Sequence, residues 1–394
     1  MVETYDYVIV GAGMAADAAI AGIRRHDQDG TILVIGDEHF PPYQKPPLSK
    51  KLWMEDMRME DVFLRGVGRP GVHLRTGTKA QGLDLARQAV TLPDSLTVGY
   101  KKLMLAMGAR PRRLVSPSDA VYYVGSLTEH IRLFRALSSS RHVLVVGGGF
   151  IGAEMAAALS SKGHQVTWLL QEDYPFQGFF PKNLADYVAA EYRRRGVVIA
   201  ANQAVAHIDV DAQGVKALTH TSKVFMGDLA VLGVGVIPND DLARNAGLAG
   251  ESGGVLVNEE LCSSDPRVWA AGDVAIMPGG SFMMHEDHAV TQGKIAGENM
   301  AGSHKAYTHQ SFFYSDLYHF GYEAIGRLDA NLSVVEDWVI FGEEGVLYYL
   351  DGKRLVGVLN WNVWDGIPKA RRLLQQDSSM DGTTLIGKIR NARE

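Results

Sequence analysis

The sequence holds a single cysteine, Cys262, among 394 residues. A disulfide within the chain is therefore impossible, and so is a Cys-x-x-Cys redox pair. An excess of positive charge is missing too: 39 Lys and Arg stand against 45 Asp and Glu, for a net charge of −6. A phosphate-backbone partner asks for a basic stripe, so nucleic acid is not an expected partner. No apolar run approaches the ~18 residues of a membrane span. The start, MVETYDYVIV, carries no basic segment and no cleavage signature, so no signal peptide is readable. Low-complexity tracts are absent. With 46% hydrophobic residues the chain has enough apolar content for ordinary buried cores in two or three domains, and a cytoplasmic location is expected.

What is present is a pair of Gly-rich turns, YDYVIVGAGMAA and HVLVVGGGFIGAE. Each follows a short apolar, β-branched run and opens an Ala-rich stretch. That is the strand, tight turn and helix of a dinucleotide-binding unit. In the first, Gly11 makes the turn and Gly13 lets the backbone approach a pyrophosphate. Ala16 holds the third small position, where helix and strand pack closely. The helix that follows points its free N–H groups at phosphate oxygens. Asp37 comes after a second strand over 31–35, where an acid suits a ribose hydroxyl. The second turn repeats the pattern with Gly147, Gly149 and Gly152, and its acid is Glu172 after a strand over 165–170. An acid there accepts from a free ribose 2′-hydroxyl and repels a 2′-phosphate. Asp173 follows it, not Arg or Lys, so NADH is expected over NADPH. The bland alternative is a solvated acid at a strand end.

A third signal separates the two roles. SSDPRVWAAGDVA reads as a short strand ending in Gly272-Asp273. With an N-terminal fingerprint it resembles the second FAD contact of the two-dinucleotide-binding flavoproteins. That resemblance implies Asp273 on the ribityl chain, FAD at the first turn and the nicotinamide cofactor at the second.

Taken together the motifs resemble the FAD-dependent pyridine nucleotide oxidoreductases. The nearest resemblance is to the apoptosis-inducing factor group, beside the ferredoxin and rubredoxin reductases. It is carried by YQKPPLSKKLW (43–53), LAMGARPR (105–112), HEDHAVTQGKIAGENMAG (285–302), HQSFFYSDL (309–317), GYEAIG (321–326) and LVGVLNWNVWDGIPKARRL (355–373). The resemblance implies roles position by position. Lys50 is placed near the flavin N5 edge and paired with Glu154, where Lys⁺ helps hold negative charge on the reduced ring. An exposed ion pair worth ~0–1 kcal/mol is the alternative. Lys45 is implied in cofactor binding, Phe150 beside the nicotinamide, Gly235 under its ribose, and His285 along the flavin. Asp316 is implied near the same ring.

Some positions depart from the family pattern. Met107 stands where Thr is usual, and Tyr314, implied in cofactor binding, where Trp is common; a tyrosine can still stack there. The arginines of a dimer patch in the animal members are replaced by Leu256, Ser264 and Gly280. Their long regulatory insertion is missing near 342–345. His285 and His288 are spaced i, i+3, but no further ligand cluster accompanies them and no metal is expected. Cys262 reads as structural.

The expected architecture is α/β: two Rossmann-like dinucleotide-binding domains of the glutathione-reductase type and a C-terminal α+β domain with an antiparallel sheet. The FAD domain takes 1–114 and 237–307, the NAD domain 115–236, and the third domain 308–394. A helix is expected over about 287–300. HLRTG and 85–92 read as strands of a small meander, and 197–211 repeats that order later. A hairpin is expected around Asp351-Gly352. HTSKV and the tail from about Gln376 are expected to be exposed.

Three functional readings follow. One is an NADH oxidoreductase passing electrons to a quinone, oxygen or another small molecule. In it the nicotinamide C4 hydride goes to flavin N5, aided by Lys50, Glu154 and the head of the helix at His288. The second is an NADH-dependent ferredoxin or rubredoxin reductase, for which the basic runs at 193–196 and 369–372 are candidate docking residues. The third is an NADH-sensing binding protein. A homodimer is compatible with all three. The single cysteine excludes the disulfide-reductase branch.

Overall fold

The computed structural model describes residues 3–54, 57–115, 118–248, 250, 253–279, 284–376 and 382–390. Its contacts divide the chain into two compact units. One draws on residues 1–46, 57–110 and 236–309, the other on 47–56, 111–235 and 310–394. The stretches expected as the NAD domain and the third domain fall in the same unit, where they keep separate sheets. Gly280, one of the dimer-patch positions, lies outside the described residues.

In the first unit, the run Tyr7-Val8-Ile9-Val10 is the buried end of strand Glu3–Val10. Both faces are covered, so the run is continuous rather than alternating. This strand pairs in parallel with Ile32–Ile35 and with Thr97–Leu105. Val72–Arg75 adds a further parallel strand beyond Ile32–Ile35. HLRTG thus belongs to the main sheet and not to the small meander, because the edge of a fully buried strand needs a partner. The meander is made by Gly82–Asp84, Ala89–Thr91 and the first half of Thr97–Leu105, with a turn in place of strand before Ala89. The second half of Thr97–Leu105 pairs in parallel with Val268–Ala270.

Helix Met14–Ile23 and helix Glu286–Met300 meet at backbone contact. A Cβ on Gly22 would stand 2.2 Å from the Lys294 carbonyl oxygen, one on Gly293 2.1 Å from that of Ala15, and one on Gly297 2.2 Å from that of Ala19. Glycine at these three places sets how closely the helices pack.

The second unit carries a parallel sheet in the order Val198–Ala200, Gln165–Leu169, His142–Val146, Leu229–Leu232, Val121–Tyr123. Helix Leu127–Leu137 starts at Ser126, whose hydroxyl accepts the Glu129 N–H at 3.2 Å. Ser followed three residues later by Glu is the sequence form of a capping box. The stretch 197–211 splits in two: Val198–Ala200 closes the parallel sheet, and Val205–Asp211 joins Gly214–Thr219 and Val224–Gly227 in an antiparallel meander. Each unit therefore holds a parallel sheet with a three-stranded antiparallel appendage.

The same unit contains a five-stranded antiparallel sheet in the order Phe312–Leu317, Phe320–Gly326, Arg354–Trp361, Glu344–Asp351, Ser333–Ile340. The expected hairpin is present, one residue further along: Asp351 pairs with Arg354, so Gly352 and Lys353 make the turn. Only Phe341, Gly342 and Glu343 separate Ser333–Ile340 from Glu344–Asp351, in place of any insertion. The tail is not wholly exposed as expected. Leu385 and Ile389, four residues apart, are buried with Ile325, Tyr348 and Val358. Arg390 Nε donates to Asp337 Oδ1 at 2.7 Å, and Gly387 N–H to its Oδ2 at 2.7 Å.

Candidate functional site

The first Gly-rich turn is built by exclusion. Gly11 has φ +107°, and a Cβ there would lie 2.1 Å from the carbonyl oxygen of Ala106, just beyond strand Thr97–Leu105. A side chain is barred twice over, by conformation and by space. Gly13 is the opposite case: a Cβ would meet no protein atom within 4 Å. That open side leaves the N-terminus of helix Met14–Ile23 accessible to an anion. Ala16, in the first turn of that helix, is fully buried.

Of the two adjacent acids after Ile32–Ile35, Glu38 is engaged. Its Oε2 accepts the Tyr43 hydroxyl at 2.7 Å, and Lys45 Nζ lies 3.5 Å from its Oε1. Asp37 is exposed beside it. Burial pushes the Asp273 carboxyl up to about 6, against the pull of the Lys45 ammonium. A carboxyl so placed gains from hydroxyl donors such as those of a ribityl chain. The turn before Asp273 is held by Gln292, whose Oε1 accepts the Gly272 N–H at 2.9 Å. His285 precedes helix Glu286–Met300, which begins one residue before the expected start. Within that helix Asp287 pairs with His309 at 2.5 Å, and His288 Nδ1 lies 3.1 Å from the Tyr307 hydroxyl. Burial holds the His288 imidazole down at about 4.

The second turn repeats the first. Gly147 has φ +118°, and its Cβ would lie 2.3 Å from the Gly233 carbonyl oxygen, just beyond strand Leu229–Leu232. Gly149, like Gly13, faces open space. At the third small position a Cβ on Gly152 would stand 2.0 Å from the Gly147 carbonyl oxygen. That oxygen is already fixed, accepting the indole N–H of Trp168 at 2.8 Å. Glu172 leans over the turn. A Cβ on Gly148 would be 2.5 Å from its Oε2. Its Oε1 accepts from Gln171 at 3.0 Å, whereas Oε2 is buried with no hydrogen-bond partner among the described residues. A buried carboxylate oxygen of this kind fits a ribose hydroxyl donor. Gly235, at φ +94°, accepts the Arg112 N–H at 2.9 Å.

Also in the second unit, Lys50 and Glu154 form a buried ion pair, 7% and 4% exposed, with Nζ 3.3 Å from Oε1. Lys50 donates to the Tyr314 carbonyl at 2.8 Å and sits 4.1 Å from the centre of its ring. An ammonium has three N–H donors. One goes to the Tyr314 carbonyl and the Glu154 carboxylate stands at ion-pair distance, so at least one remains for a ligand among the described residues. Two serines that sequence reasoning missed complete the cluster. Ser49 donates to Glu154 Oε2 at 2.5 Å and Ser315 to Oε1 at 2.6 Å. Their only signal was adjacency to motif residues, Ser49 to Lys50 and Ser315 to Tyr314. Phe150 begins helix Phe150–Ser161 with its ring 5.0 Å from Phe179, 5.2 Å from Phe313 and 5.7 Å from Phe176. Asp316 pairs in register with Gly321 across the first hairpin of the antiparallel sheet.

The family model for pyridine nucleotide-disulphide oxidoreductase matches residues 5–293, and that for the C-terminal region of apoptosis-inducing factor matches residues 296–344. Rhodocoxin reductase of Rhodococcus erythropolis is 31% identical over 93% of this chain and 88% of its own length. A Drosophila melanogaster protein carrying the name apoptosis-inducing factor 1, mitochondrial, is 27% identical over 97% of this chain, which spans 65% of that protein. Among solved structures, the covalent putidaredoxin reductase–putidaredoxin complex contains a chain with a TM-score of 0.88 and 25% identity, covering 97% of this chain and 95% of that one. This chain belongs to the pyridine nucleotide-disulphide oxidoreductase family, as an oxidoreductase that binds FAD and NAD(H).

Proposed function

We propose that the chain takes reducing equivalents from NADH in preference to NADPH and delivers them to a small-molecule acceptor such as a quinone or oxygen. One observation supports the donor choice above others: the buried, unpartnered Oε2 of Glu172 over the second Gly-rich turn. A carboxylate there gains a hydrogen bond from a 2′-hydroxyl and repels a 2′-phosphate. Asp173 beside it adds no cation to offset that repulsion.

FAD, when bound, would supply the hydride-accepting and electron-transferring chemistry. The chain supplies position and charge. Gly11, Gly13, Ala16, Asp37, Lys45 and Asp273 are the residues proposed to hold FAD. Gly147, Gly149, Gly152, Glu172 and Gly235 are those proposed to hold the nicotinamide dinucleotide, with Phe150 against its ring. Lys50 keeps one N–H donor and a buried positive charge for a reduced, electron-rich ligand atom. His285, Asp316 and the N-terminus of helix Glu286–Met300 are proposed along the flavin, the helix end favouring negative charge. With one cysteine no step through a protein disulfide is available.

The second reading replaces the small molecule with a ferredoxin-like redox protein. It is favoured by the names of relatives such as rhodocoxin reductase and by the surface run Arg193-Arg194-Arg195, exposed at the end of helix Lys182–Arg194. A basic run meets an acidic carrier.

Anaerobic titration of the FAD-loaded protein tests the donor half. NADH should bleach the flavin band at a concentration well below that needed for NADPH. Equal response to the two would remove the role given to Glu172. No bleaching by either would remove the proposed function. Rapid reoxidation of the reduced flavin by an oxidised ferredoxin, faster than by quinone or oxygen, would favour the second reading.

A further inference from the structure

The Lys50–Glu154 pair is held by groups other than itself. The shortest contacts to the Glu154 carboxylate are the two serine hydroxyls, at 2.5 Å from Ser49 and 2.6 Å from Ser315. Lys50 is further away at 3.3 Å, and its own shortest bond goes to the Tyr314 carbonyl at 2.8 Å. Three separate segments converge here: the short 3-10 helix Pro46–Ser49, helix Phe150–Ser161 and strand Phe312–Leu317. Ser49 and Ser315 are both buried, so water does not substitute readily for either hydroxyl.

The geometry has a direct consequence. A carboxylate is a free rotor about its last bond unless both oxygens are bonded. Each serine fixes one oxygen, so the plane of the carboxylate is set without Lys50. The lysine can then approach one edge of it while keeping a donor for a ligand. A buried pair is stabilising only when its remaining lone pairs are satisfied, and here the serines satisfy them.

We propose that Ser49 and Ser315 are positioning residues for hydride transfer: they orient Glu154 so that Lys50 is restrained yet keeps one N–H for the flavin. The inference rests on the reading of Lys50 and Glu154 as the pair beside the flavin. Neither serine needs to touch the cofactor. Both act through the carboxylate.

The test uses Ser49→Ala, Ser315→Ala and Ser315→Thr in the full chain, with Lys50→Met as reference. The first readout needs no turnover: the rate at which Lys50 is acylated by acetic anhydride in the FAD-free protein, read by peptide mass spectrometry against neighbouring Lys51. Each alanine variant should raise the Lys50-to-Lys51 ratio at least fivefold, and Ser315→Thr should return it to within twofold of wild type. The second readout is single-turnover flavin reduction by NADH. Each alanine variant should slow it about tenfold at saturating NADH with the apparent NADH affinity changed less than twofold. An unchanged acylation ratio in both alanine variants overturns the proposal. So does an increased ratio with unchanged flavin reduction when Lys50→Met is itself slow. If Lys50→Met reduces its flavin as fast as wild type, the reading of Lys50 as the flavin's partner has failed, and the role in hydride transfer falls with it. Should Ser315→Ala not fold, Ser49→Ala carries the same decision.

Discussion

The side-chain oxygen of Gln292 accepts the amide N–H of Gly272 at 2.9 Å, so helix Glu286–Met300 directly holds the turn that presents Asp273. Gln292 is almost fully buried and the bond is between buried groups. Replacing it with an apolar side chain of similar size leaves the Gly272 N–H unpaired, at a cost of about 1–3 kcal/mol. Gln292→Leu should therefore lower the melting temperature of the FAD-free protein and weaken FAD binding roughly tenfold, about 1.4 kcal/mol. Gln292→Glu, which keeps the acceptor, should recover most of the FAD affinity. A Leu variant that binds FAD as tightly as wild type would show that the turn stands without the helix.

The glycines of the two fingerprints should separate cleanly by experiment. Gly152→Ala places a Cβ 2.0 Å from a carbonyl oxygen that Trp168 already pins. Backbone must move, at a cost of about 1–3 kcal/mol. Gly13→Ala and Gly149→Ala place a Cβ in space that no protein atom occupies, on extended backbone open to any residue. Their folding stability should change by less than about 1 kcal/mol. Their cofactor affinities should fall, FAD for Gly13→Ala and NADH for Gly149→Ala, because the new methyl stands where the pyrophosphate approaches. Urea unfolding paired with equilibrium cofactor binding measures both. Loss of stability without loss of affinity in the Gly13 variant would place the pyrophosphate elsewhere.

Much of this was legible in the chain because it is local. Gly11 and Gly147 are required by a strand-to-helix turn that a dozen consecutive residues spell out. The strand at 142–146 and the hairpin near Gly352 are read the same way. What was not legible depends on partners far along the chain. HLRTG has no internal feature that separates an edge strand of a parallel sheet from a meander strand; its pairing with Ile32–Ile35 decides. Leu385 and Ile389 lie in a mostly polar tail, and their burial depends on a sheet formed some 30 residues earlier and more. Ser49, Ser315 and Gln292 carry no chemical signature of their own. Each matters because of which group the fold sets opposite it.

Glu172 offers a test in which affinity and stability move apart. Its Oε2 is buried and unpartnered among the described residues in the absence of ligand. Removing the charge costs the free protein nothing in that contact, so Glu172→Gln should melt at or above the wild-type temperature. NADH binding loses a charge-assisted hydrogen bond, about 1.5–3 kcal/mol, or roughly tenfold and upward. NADPH binding loses a repulsion instead. The ratio of the two affinities should therefore narrow by at least tenfold, read from flavin reduction at varied NADH and NADPH. An unchanged ratio would mean that Glu172 is only a strand-end acid.

Two titrating groups in the first unit give opposite pH dependences. His288 is held down at about 4 by burial, below its ordinary 6.5. Between those values the unfolded chain binds the extra proton, so this contribution to stability grows as pH rises from about 4 to 6.5 and is lost on acidification. Asp273 is pushed up to about 6 from 3.8. Here the folded chain holds the proton longer, so stability declines as pH rises from about 3.8 to 6 and the full cost stands above that. Each group contributes on the order of 3 kcal/mol. In wild type the two oppose each other across the same window. Single variants separate them. Relative to wild type, His288→Asn should gain melting temperature at pH 4.5 and not at 7.5. Asp273→Asn should gain much more at pH 7.5 than at 4.5. Hydroxyl donors from bound FAD would stabilise the Asp273 carboxylate, so its variant's advantage at pH 7.5 should shrink when the protein is saturated with FAD. Melting curves of the FAD-free and FAD-loaded forms from pH 4 to 8 decide this. An advantage that is the same with and without FAD would place the ribityl chain away from Asp273.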